Sequence, residues 1–167
     1  YIHKLKTGEG QQVELSMQEA VTYYMRTMMS SAKGGERVVP RNGNGEDPLS
    51  TMYACSPGGS NDFIFLMAIT PRMWEALCET MGREDMINDD RFSSPSKRFE
   101  NRELLREQIS LWTIKHDKKE AMRRLAEAGV PVSAVMDTVD VYSDPNLLDR
   151  GFIKEVETAD GETLKMP

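Results

Sequence analysis

The chain has 167 residues, of which 39% are hydrophobic, and a formal net charge of −6. This length supports one domain with a sizeable core or pieces of two domains. No apolar run approaches the roughly 20 residues that span a bilayer. The acidic charge argues against a general nucleic-acid binder, which needs a cationic surface. We therefore expect neither a membrane nor a nucleic-acid partner.

The chain start and the metal-binding residue types narrow the class further. The first residue is Tyr1 rather than Met, so we expect a fragment of a longer protein, and no apolar stretch typical of a signal peptide follows. Cys55 and Cys78 are isolated in apolar contexts, which indicates buried thiols in a reducing compartment, the cytoplasm. His3 and His116 are the only histidines, too few for a His/Cys zinc pattern, so we predict no metal.

The amino-terminal part contains a predicted strand and a predicted helix. Residues Gln12–Leu15 alternate polar and apolar side chains, which is typical of a short strand. Ser16 and Glu19 have the spacing of a capping box, in which each side chain satisfies a free backbone N–H at a helix start. The apolar spacing that follows predicts a helix ending near Ser30.

Residues 33–50 show no sustained hydrophobic period. They are rich in Gly, Pro, Asn and charge, so we predict a long loop or linker and a domain boundary. The glycine-bearing part is either a flexible linker or a loop whose backbone approaches a ligand closely. That part contains Asn42, Gly43, Asn44 and Gly45.

A β-hairpin and a capped helix are predicted next. Thr51–Cys55 and Phe63–Ile69 are β-rich runs joined by a segment that contains Pro-Gly-Gly. Thr70 is a good N-cap, and Pro71 suits the first helical position, where its missing N–H is not needed. The helix should end at Gly82 and carry an apolar stripe of Trp74, Leu77, Cys78 and Met81.

The start of that helix is a candidate anion site. Thr70, Pro71 and Arg72 lie at this helix N-terminus, where free backbone N–H groups and the guanidinium of Arg72 would suit a phosphate or an adenine edge. The alternative is an ordinary helix cap.

A longer helix is predicted over Arg98–Ile114, after an irregular stretch at Arg83–Lys97. Its apolar stripe contains Leu104, Leu105, Ile109 and Trp112. The basic residues alternate with glutamates at helical spacing, which predicts a salt-bridged, solvent-exposed face that contains Lys97, Arg98, Arg102 and Arg106.

The next helix should begin with a capping box at Asp117–Glu120. Its predicted inward residues are Ala121, Leu125 and Ala128, and Gly129 should stop it.

The carboxyl-terminal part has weaker local patterns. Pro131–Val135 fits a short strand, and Asp137–Tyr142 and Pro145–Leu148 fit brief helical turns. Phe152–Val156 and Thr163–Met166 fit strands around an Asp-Gly turn. The pattern as a whole is mixed α and β.

Several kinds of site are excluded by local pattern. The chain has no nucleotide-phosphate P-loop, and Gly8-Glu9-Gly10 precedes a predicted strand rather than following one, unlike a dinucleotide fingerprint. His116 lies between predicted helices beside charged residues, which indicates a solvated connector rather than a general base.

Taken in order, the motifs resemble those of the family III CoA-transferases, also called CaiB/BaiF proteins. This family includes formyl-CoA transferase, carnitine CoA-transferase and α-methylacyl-CoA racemase. The opening Thr7–Ser16 resembles the strand–helix segment just after the catalytic region of the family. The remaining motifs are the loop from Pro40 to Gly45, the hairpin, Thr70–Trp74, Asp90–Phe92, Arg98–Leu105, Gly129–Pro131 and Asp144–Gly151.

The resemblance implies an α+β small domain with flanking strand–helix pieces of an α/β, Rossmann-like large domain. Residues 1–40 would belong to the large domain, residues 41–147 to the small domain with its linker, and residues 148–167 to a segment returning toward the large domain. It also implies an interlocked homodimer.

The resemblance further implies a reaction. In the transferases, an aspartate of the large domain attacks an acyl-CoA thioester to give a mixed anhydride, and CoA thiolate then attacks the aspartyl carbonyl. The carboxylic acid acceptor finally leaves as a new CoA thioester. The aspartate lies upstream of the segment that Gly8–Gln11 matches, so we expect it to be absent and assign no catalytic residue.

Two contacts carry over from the resemblance. Thr70, Pro71 and Arg72 match a segment that borders CoA, and they are the predicted cofactor contacts. Residues 42–45 match the region of the mobile glycine-rich loop that covers the acyl intermediate in formyl-CoA transferase. This loop lacks consecutive glycines, is shorter and is followed by two acidic residues, which weakens any claim that the substrate is formyl-CoA or oxalate.

The predicted function is a CoA-transferase that moves CoA between an acyl-CoA donor and a carboxylic acid acceptor, and the chain alone should be inactive. One alternative is a CoA-thioester racemase or isomerase of the same family, which abstracts the α-proton. Another is a non-catalytic interaction module that retains the small domain.

Overall fold

The structure is a computed structural model that describes residues 1–41 and 43–167. The chain divides into two compact units, Tyr1–Asn42 and Gly43–Pro167. No helix in the described part of the chain is long and apolar enough to cross a membrane.

The first unit is helical. It contains α1 (Ile2–Thr7), α2 (Met17–Tyr24), α3 (Arg26–Ser31) and a 3-10 turn (Lys33–Gly35). The described residues of these helices are not buried, and their apolar side chains are largely exposed.

The predicted capping box is confirmed. The Ser16 hydroxyl accepts a hydrogen bond from the Glu19 N–H at 3.1 Å, and the Glu19 carboxylate accepts one from the Ser16 N–H at 3.2 Å. The predicted single helix instead breaks at Met25, whose φ of −84° and ψ of 3° leave the helical region. The carbonyl of Thr22 accepts the Met25 N–H and closes α2.

The predicted strand at Gln12–Leu15 is wrong. These residues form no strand in the described structure, and Val13 and Leu15 are exposed. A strand needs a partner for its backbone N–H and C=O groups. Alternating polarity alone does not supply that partner.

The second unit is built on an antiparallel sheet with the order β1-β2-β3. Its strands are β1 (Ser50–Ala54), β2 (Phe63–Met67) and β3 (Val132–Ala134). The β1–β2 hairpin confirms the predicted pair of runs, and β3 lies within the predicted strand at residues 131–135. Ser50 pairs with Met67, so β1 begins beside the end of β2.

One face of this sheet carries the core. Tyr53 on β1 and Ile64 and Leu66 on β2 are buried, because successive side chains of a strand point to opposite faces. Phe65 and Met67 alternate with them and remain partly exposed.

The second unit also contains helices, the first of which after the hairpin is α4 (Pro71–Met81). Thr70 caps α4, Gly82 ends it in the left-handed conformation with φ 66°, and Trp74, Leu77 and Cys78 are buried as predicted. The described structure then contains a 3-10 turn (Glu84–Met86), α5 (Pro95–Glu100), α6 (Arg102–Thr113) and α7 (Lys118–Glu127).

The helix predicted over residues 98–114 is split at Asn101. Ser94 caps α5, and α6 begins only after Asn101, whose φ of −99° and ψ of 25° are not helical. The Asn101 side chain donates to the carbonyls of Arg91 at 3.1 Å and Lys97 at 2.9 Å. An asparagine that bonds nearby backbone in this way favours a chain break over helix continuation.

Only one half of the predicted capping box is present at the start of α7. Asp117 caps it by accepting from the N–H groups of Lys119 and Glu120, both at 2.9 Å. The Glu120 carboxylate is held by Arg123 and Arg124 instead of returning to the cap. The capping box is therefore not reciprocal.

The inward stripe of α7 is shorter than predicted. Ala121 and Leu125 are buried, but Ala128 is exposed because it is the C-cap residue, beyond the last turn that packs on the sheet.

The carboxyl-terminal part contains α8 (Thr138–Ser143), α9 (Pro145–Asp149) and the antiparallel hairpin of β4 (Lys154–Glu157) and β5 (Thr163–Met166). These elements confirm the predicted turns and strands.

A charge cluster fastens α8 to the start of α7. Asp140 on α8 accepts from Lys118 at 2.5 Å and Lys119 at 2.9 Å, and Lys118 also donates to the Val135 carbonyl at 2.9 Å. The Lys118 and Asp140 side chains are only 11% and 12% exposed. Hydrogen bonds from Lys118, which has the larger effect, and from Lys119 hold the pKa of Asp140 well below its usual range.

This cluster predicts a pH-dependent stability. A carboxyl group with a lowered pKa stabilises the fold above its unfolded pKa of about 4, and this contribution is lost as the pH falls through the folded pKa. Asp140→Asn should lower the thermal midpoint at pH 7 by several degrees, and the difference should shrink as the pH falls well below 4. Thermal melts across this range, with the exposed Asp149→Asn as control, measure it. An unchanged difference at low pH would contradict this explanation.

Candidate functional site

The β1–β2 hairpin brings two sequence motifs to one end of the sheet. The loop at residues 43–49 leads into β1, and Ile69 and Thr70 follow the end of β2. The Ala68 N–H donates to the Leu49 carbonyl at 2.8 Å, which joins the two segments directly. The antiparallel register thus explains why residues 49 and 68, which are 19 positions apart, meet.

A cleft of about 190 Å³ lies at this end of the sheet. It is lined by Asp47, Leu49, Ile69, Pro95, Arg98 and Phe99. Pockets for drug-sized ligands have volumes of about 300–1,000 Å³. This cleft can therefore hold one part of a cofactor as large as CoA, with one positive and one negative side chain beside an apolar wall.

Arg98 is the cation of this cleft, and the sequence prediction for it is wrong. It is half-buried rather than on a solvent-exposed face, and its guanidinium lies 5.1 Å from the centre of the Trp74 ring. Its Nη1 donates to the Phe92 carbonyl at 2.7 Å, and burial lowers the pKa of Arg98. Among the described residues, Arg98 Nε and Trp74 Nε1 are buried without a hydrogen-bond partner.

Arg106 also departs from the predicted solvent-exposed face. Its Nη2 donates to the carbonyls of Gly45 at 3.5 Å and Glu46 at 3.1 Å, so it contacts the loop. Arg102, one turn earlier on α6, forms the expected type of pair with Glu103 at 3.7 Å.

The predicted CoA contacts lie next to the cleft. The Thr70 hydroxyl accepts from the Met73 N–H at 3.3 Å, and Pro71 has no N–H. Within the described helix start, the first turn therefore offers the Arg72 N–H and its exposed guanidinium to a ligand. Ile69 lines the cleft, whereas Thr70, Pro71 and Arg72 are absent from its lining.

The predicted substrate loop is described from Gly43 onward, and Asn42 lies outside the described residues. Gly43 and Gly45 have φ values of 55° and 99°, which glycine adopts without strain. The Asn44 carbonyl accepts from the Thr51 hydroxyl at 2.8 Å.

Two larger clefts lie elsewhere in the described structure, and their charged side chains are less available to a ligand. One of about 420 Å³ lies beside β3 and α8, but its charged residues Lys119 and Asp140 already pair with each other at 2.9 Å. Another lies on the exposed helices of the first unit and includes Tyr23 and Arg26.

Three described side chains of types that can act as nucleophiles or bases, Cys55, Cys78 and His116, are buried or packed against other groups. Burial raises the pKa of the Cys55 thiol to about 11 and that of Cys78 to about 12, so neither is a thiolate at neutral pH. His116 is half-buried, its ring lies 4.4 Å from the Trp112 ring, and its Nδ1 is 2.9 Å from the Trp112 carbonyl. His116 is therefore packed against α6 and is not the solvated connector that the sequence predicts. In residues 1–41 and 43–167, no group of three or more His, Cys, Asp or Glu side chains could hold a metal ion.

Solved structures share this fold. Rv3272 from Mycobacterium tuberculosis matches with a TM-score of 0.69 and 18% identity, over 99% of this chain and 43% of that chain. A CaiB/BaiF family protein from Brucella suis matches with a TM-score of 0.67 and 18% identity, over 99% of this chain and 47% of that chain. The fold is thus a mixed α/β small domain of the kind found in CaiB/BaiF proteins.

The sequence comparisons define the family. The family model described as CoA-transferase family III matches residues 1–167, and the chain belongs to this family. It is 33% identical over 156 residues to succinyl-CoA:mesaconate CoA-transferase of Haloarcula marismortui, covering 93% of this chain and 38% of that protein. It is 27% identical over 167 residues to formyl-CoA:oxalate CoA-transferase of Streptomyces coelicolor, covering 90% of this chain and 40% of that protein. The chain spans about two-fifths of the length of these relatives.

Proposed function

We propose that this chain is part of a CoA-transferase that moves CoA from an acyl-CoA donor to a carboxylic acid acceptor. The match of the CoA-transferase family III model to residues 1–167 carries the proposal. Two relatives with different acids, mesaconate and oxalate in their names, support transfer to a carboxylic acid as the shared chemistry.

The chain would supply a wall of the site rather than its nucleophile. We propose that the attacking aspartate is outside these 167 residues, in a Rossmann-like large domain, and that the protein works as an interlocked homodimer. Residues 1–40 would belong to that large domain, and residues 148–167 would return toward it.

The cleft beside β1 and β2 supports a role in binding one edge of acyl-CoA. Its volume of about 190 Å³ suits a fragment of the ligand, and its cation Arg98 lies in an apolar, half-buried setting. Charge interactions strengthen where water is excluded. Arg72 and the start of α4 would add a second, solvent-exposed contact to a phosphate.

The function is tested with the full-length protein, succinyl-CoA and mesaconate, followed by chromatography of the CoA esters. Formation of mesaconyl-CoA, with an acyl–aspartate adduct trapped by hydroxylamine, is the expected result. Exchange of the substrate α-proton with solvent, without transfer, would replace the proposal with racemisation. If neither transfer nor exchange occurs with any acid of a panel, the remaining explanation is the non-catalytic interaction module.

Arg72→Ala should weaken CoA binding in the full-length protein by about 1–2 kcal/mol, which is about 5- to 30-fold, because a charged hydrogen bond is lost. Titration calorimetry with CoA measures the change. Arg123→Ala on the exposed face of α7 is the matched control and should bind CoA as the unmodified protein does. Equal affinities for all three proteins would remove Arg72 from the site.

A further inference from the structure

The loop ahead of β1 is held by an unbroken series of hydrogen bonds to its backbone carbonyls. Each carbonyl from residue 44 to residue 49 accepts a hydrogen bond, and we call residues 44–49 the anchored segment. The donors, in order, are Thr51 Oγ1, Arg106 Nη2 for two carbonyls, Ser50 N, Tyr53 Oη and Ala68 N. A loop that opens freely would leave such carbonyls to water.

The donors of the anchored segment are themselves fixed by the fold. Thr51 and Tyr53 are buried on β1, and the Tyr53 hydroxyl donates to the Pro48 carbonyl at 2.7 Å. Burial raises the pKa of Tyr53 well above its usual range, so the hydroxyl keeps its proton. Arg106 comes from α6, about 60 residues further along the chain.

Close packing limits movement in the same place. A Cβ at Gly45 would lie 3.2 Å from the Ser50 carbonyl oxygen, whereas one at Gly43 would meet no atom within 4 Å. Pro48 and Leu49 are buried. The restraint therefore begins at Asn44.

We propose that Arg106 is a positioning residue that holds the anchored segment as a fixed wall of the acyl-CoA site, rather than letting it act as a mobile cover. This inference rests on the proposed function. Arg106 is the long-range member of the series, because it supplies two of the hydrogen bonds and joins the segment to α6. The remaining donors lie on β1 or at the ends of the hairpin.

A fixed wall has a consequence for substrate binding. A segment that is already ordered incurs no ordering cost when acyl-CoA binds. If removal of Arg106 leaves only a fraction of the molecules with an ordered segment, the apparent affinity falls by that fraction. The bound state restores the order, so the chemical step changes little.

Hydrogen exchange of the full-length protein tests the anchor without turnover. In Arg106→Ala, the amides of Leu49 and Ser50, which donate to Asp47, should exchange about tenfold faster than in the unmodified protein. Arg102→Ala is the matched control, since Arg102 lies on the same helix and donates to the Phe99 carbonyl. Its exchange in the anchored segment should be unchanged. Equal exchange in both variants would overturn the proposal.

Kinetics separate positioning from simple destabilisation. Arg106→Ala should raise the KM for acyl-CoA about tenfold and change kcat less than about twofold. Arg106→Lys, which keeps a donor and the charge, should restore part of the loss. A fall in kcat at constant KM would overturn the positioning role. If the unmodified protein transfers no CoA, the proposed function fails, while the exchange experiment still decides whether Arg106 anchors the segment.

Discussion

Replacing Trp74 with alanine is expected to lower the free energy of unfolding by about 3–5 kcal/mol, because the substitution leaves a large cavity in the core. Trp74 lies on α4, is 4% exposed and belongs to the hydrophobic core. Its ring centre is 6.0 Å from that of Phe92 and 5.1 Å from the Arg98 guanidinium. The loss would remove a large share of the 5–15 kcal/mol typical of a small domain.

Trp74→Phe provides the contrast. The indole N–H of Trp74 is buried without an acceptor among the described residues, so its removal leaves no partner unsatisfied. An aromatic ring of smaller size should cost less than about 1.5 kcal/mol. Urea unfolding followed by far-UV circular dichroism compares the two variants. Equal losses would show that ring volume is not the source of the stability.

The helix starts were predictable because capping is local. Ser16, Thr70 and Asp117 each accept from an N–H within three residues, so a short window of sequence contains both partners. The hairpin was predictable for a similar reason, since its two β-rich runs are separated by a short turn segment.

Features that depend on distant partners were missed. The strand predicted at residues 12–15 required a neighbour that local alternation cannot reveal. The break at Asn101 depends on the Arg91 carbonyl, ten residues away. Hydrophobic periodicity reports neither the absence of a strand partner nor the side-chain hydrogen bond from Asn101 to Arg91.

The candidate site also combines residues that local motifs revealed with a residue that they did not. The loop at residues 43–45 and the helix start at Arg72 were visible as motifs, but the cation of the cleft was assigned to a solvent-exposed face. Arg98 alternates with glutamates in the sequence, and its contact with Trp74 spans 24 positions. One signal was present in the sequence, because Arg98 precedes Leu105 by seven residues, a spacing that places two residues on the same face of a continuous helix.

Gly45→Ala is expected to cost about 2–3 kcal/mol of folding free energy, because two penalties coincide at this residue. Its φ of 99° lies where residues with a Cβ are strained by about 1–2 kcal/mol. The new methyl group would also lie 3.2 Å from the Ser50 carbonyl oxygen, which belongs to a paired β1 residue and cannot retreat without disturbing the strand.

Gly58→Ala separates these two penalties. Gly58 has a φ of 96°, close to that of Gly45, but a Cβ there would meet no atom within 4 Å. It should therefore cost only the backbone term of about 1–2 kcal/mol. The difference in urea unfolding free energy between the two variants measures how tightly the anchored segment packs on β1. A rigid wall requires Gly45→Ala to be the more destabilising of the two. Equal values would mean that the segment moves away from Ser50 at no cost, which is the behaviour of a mobile cover.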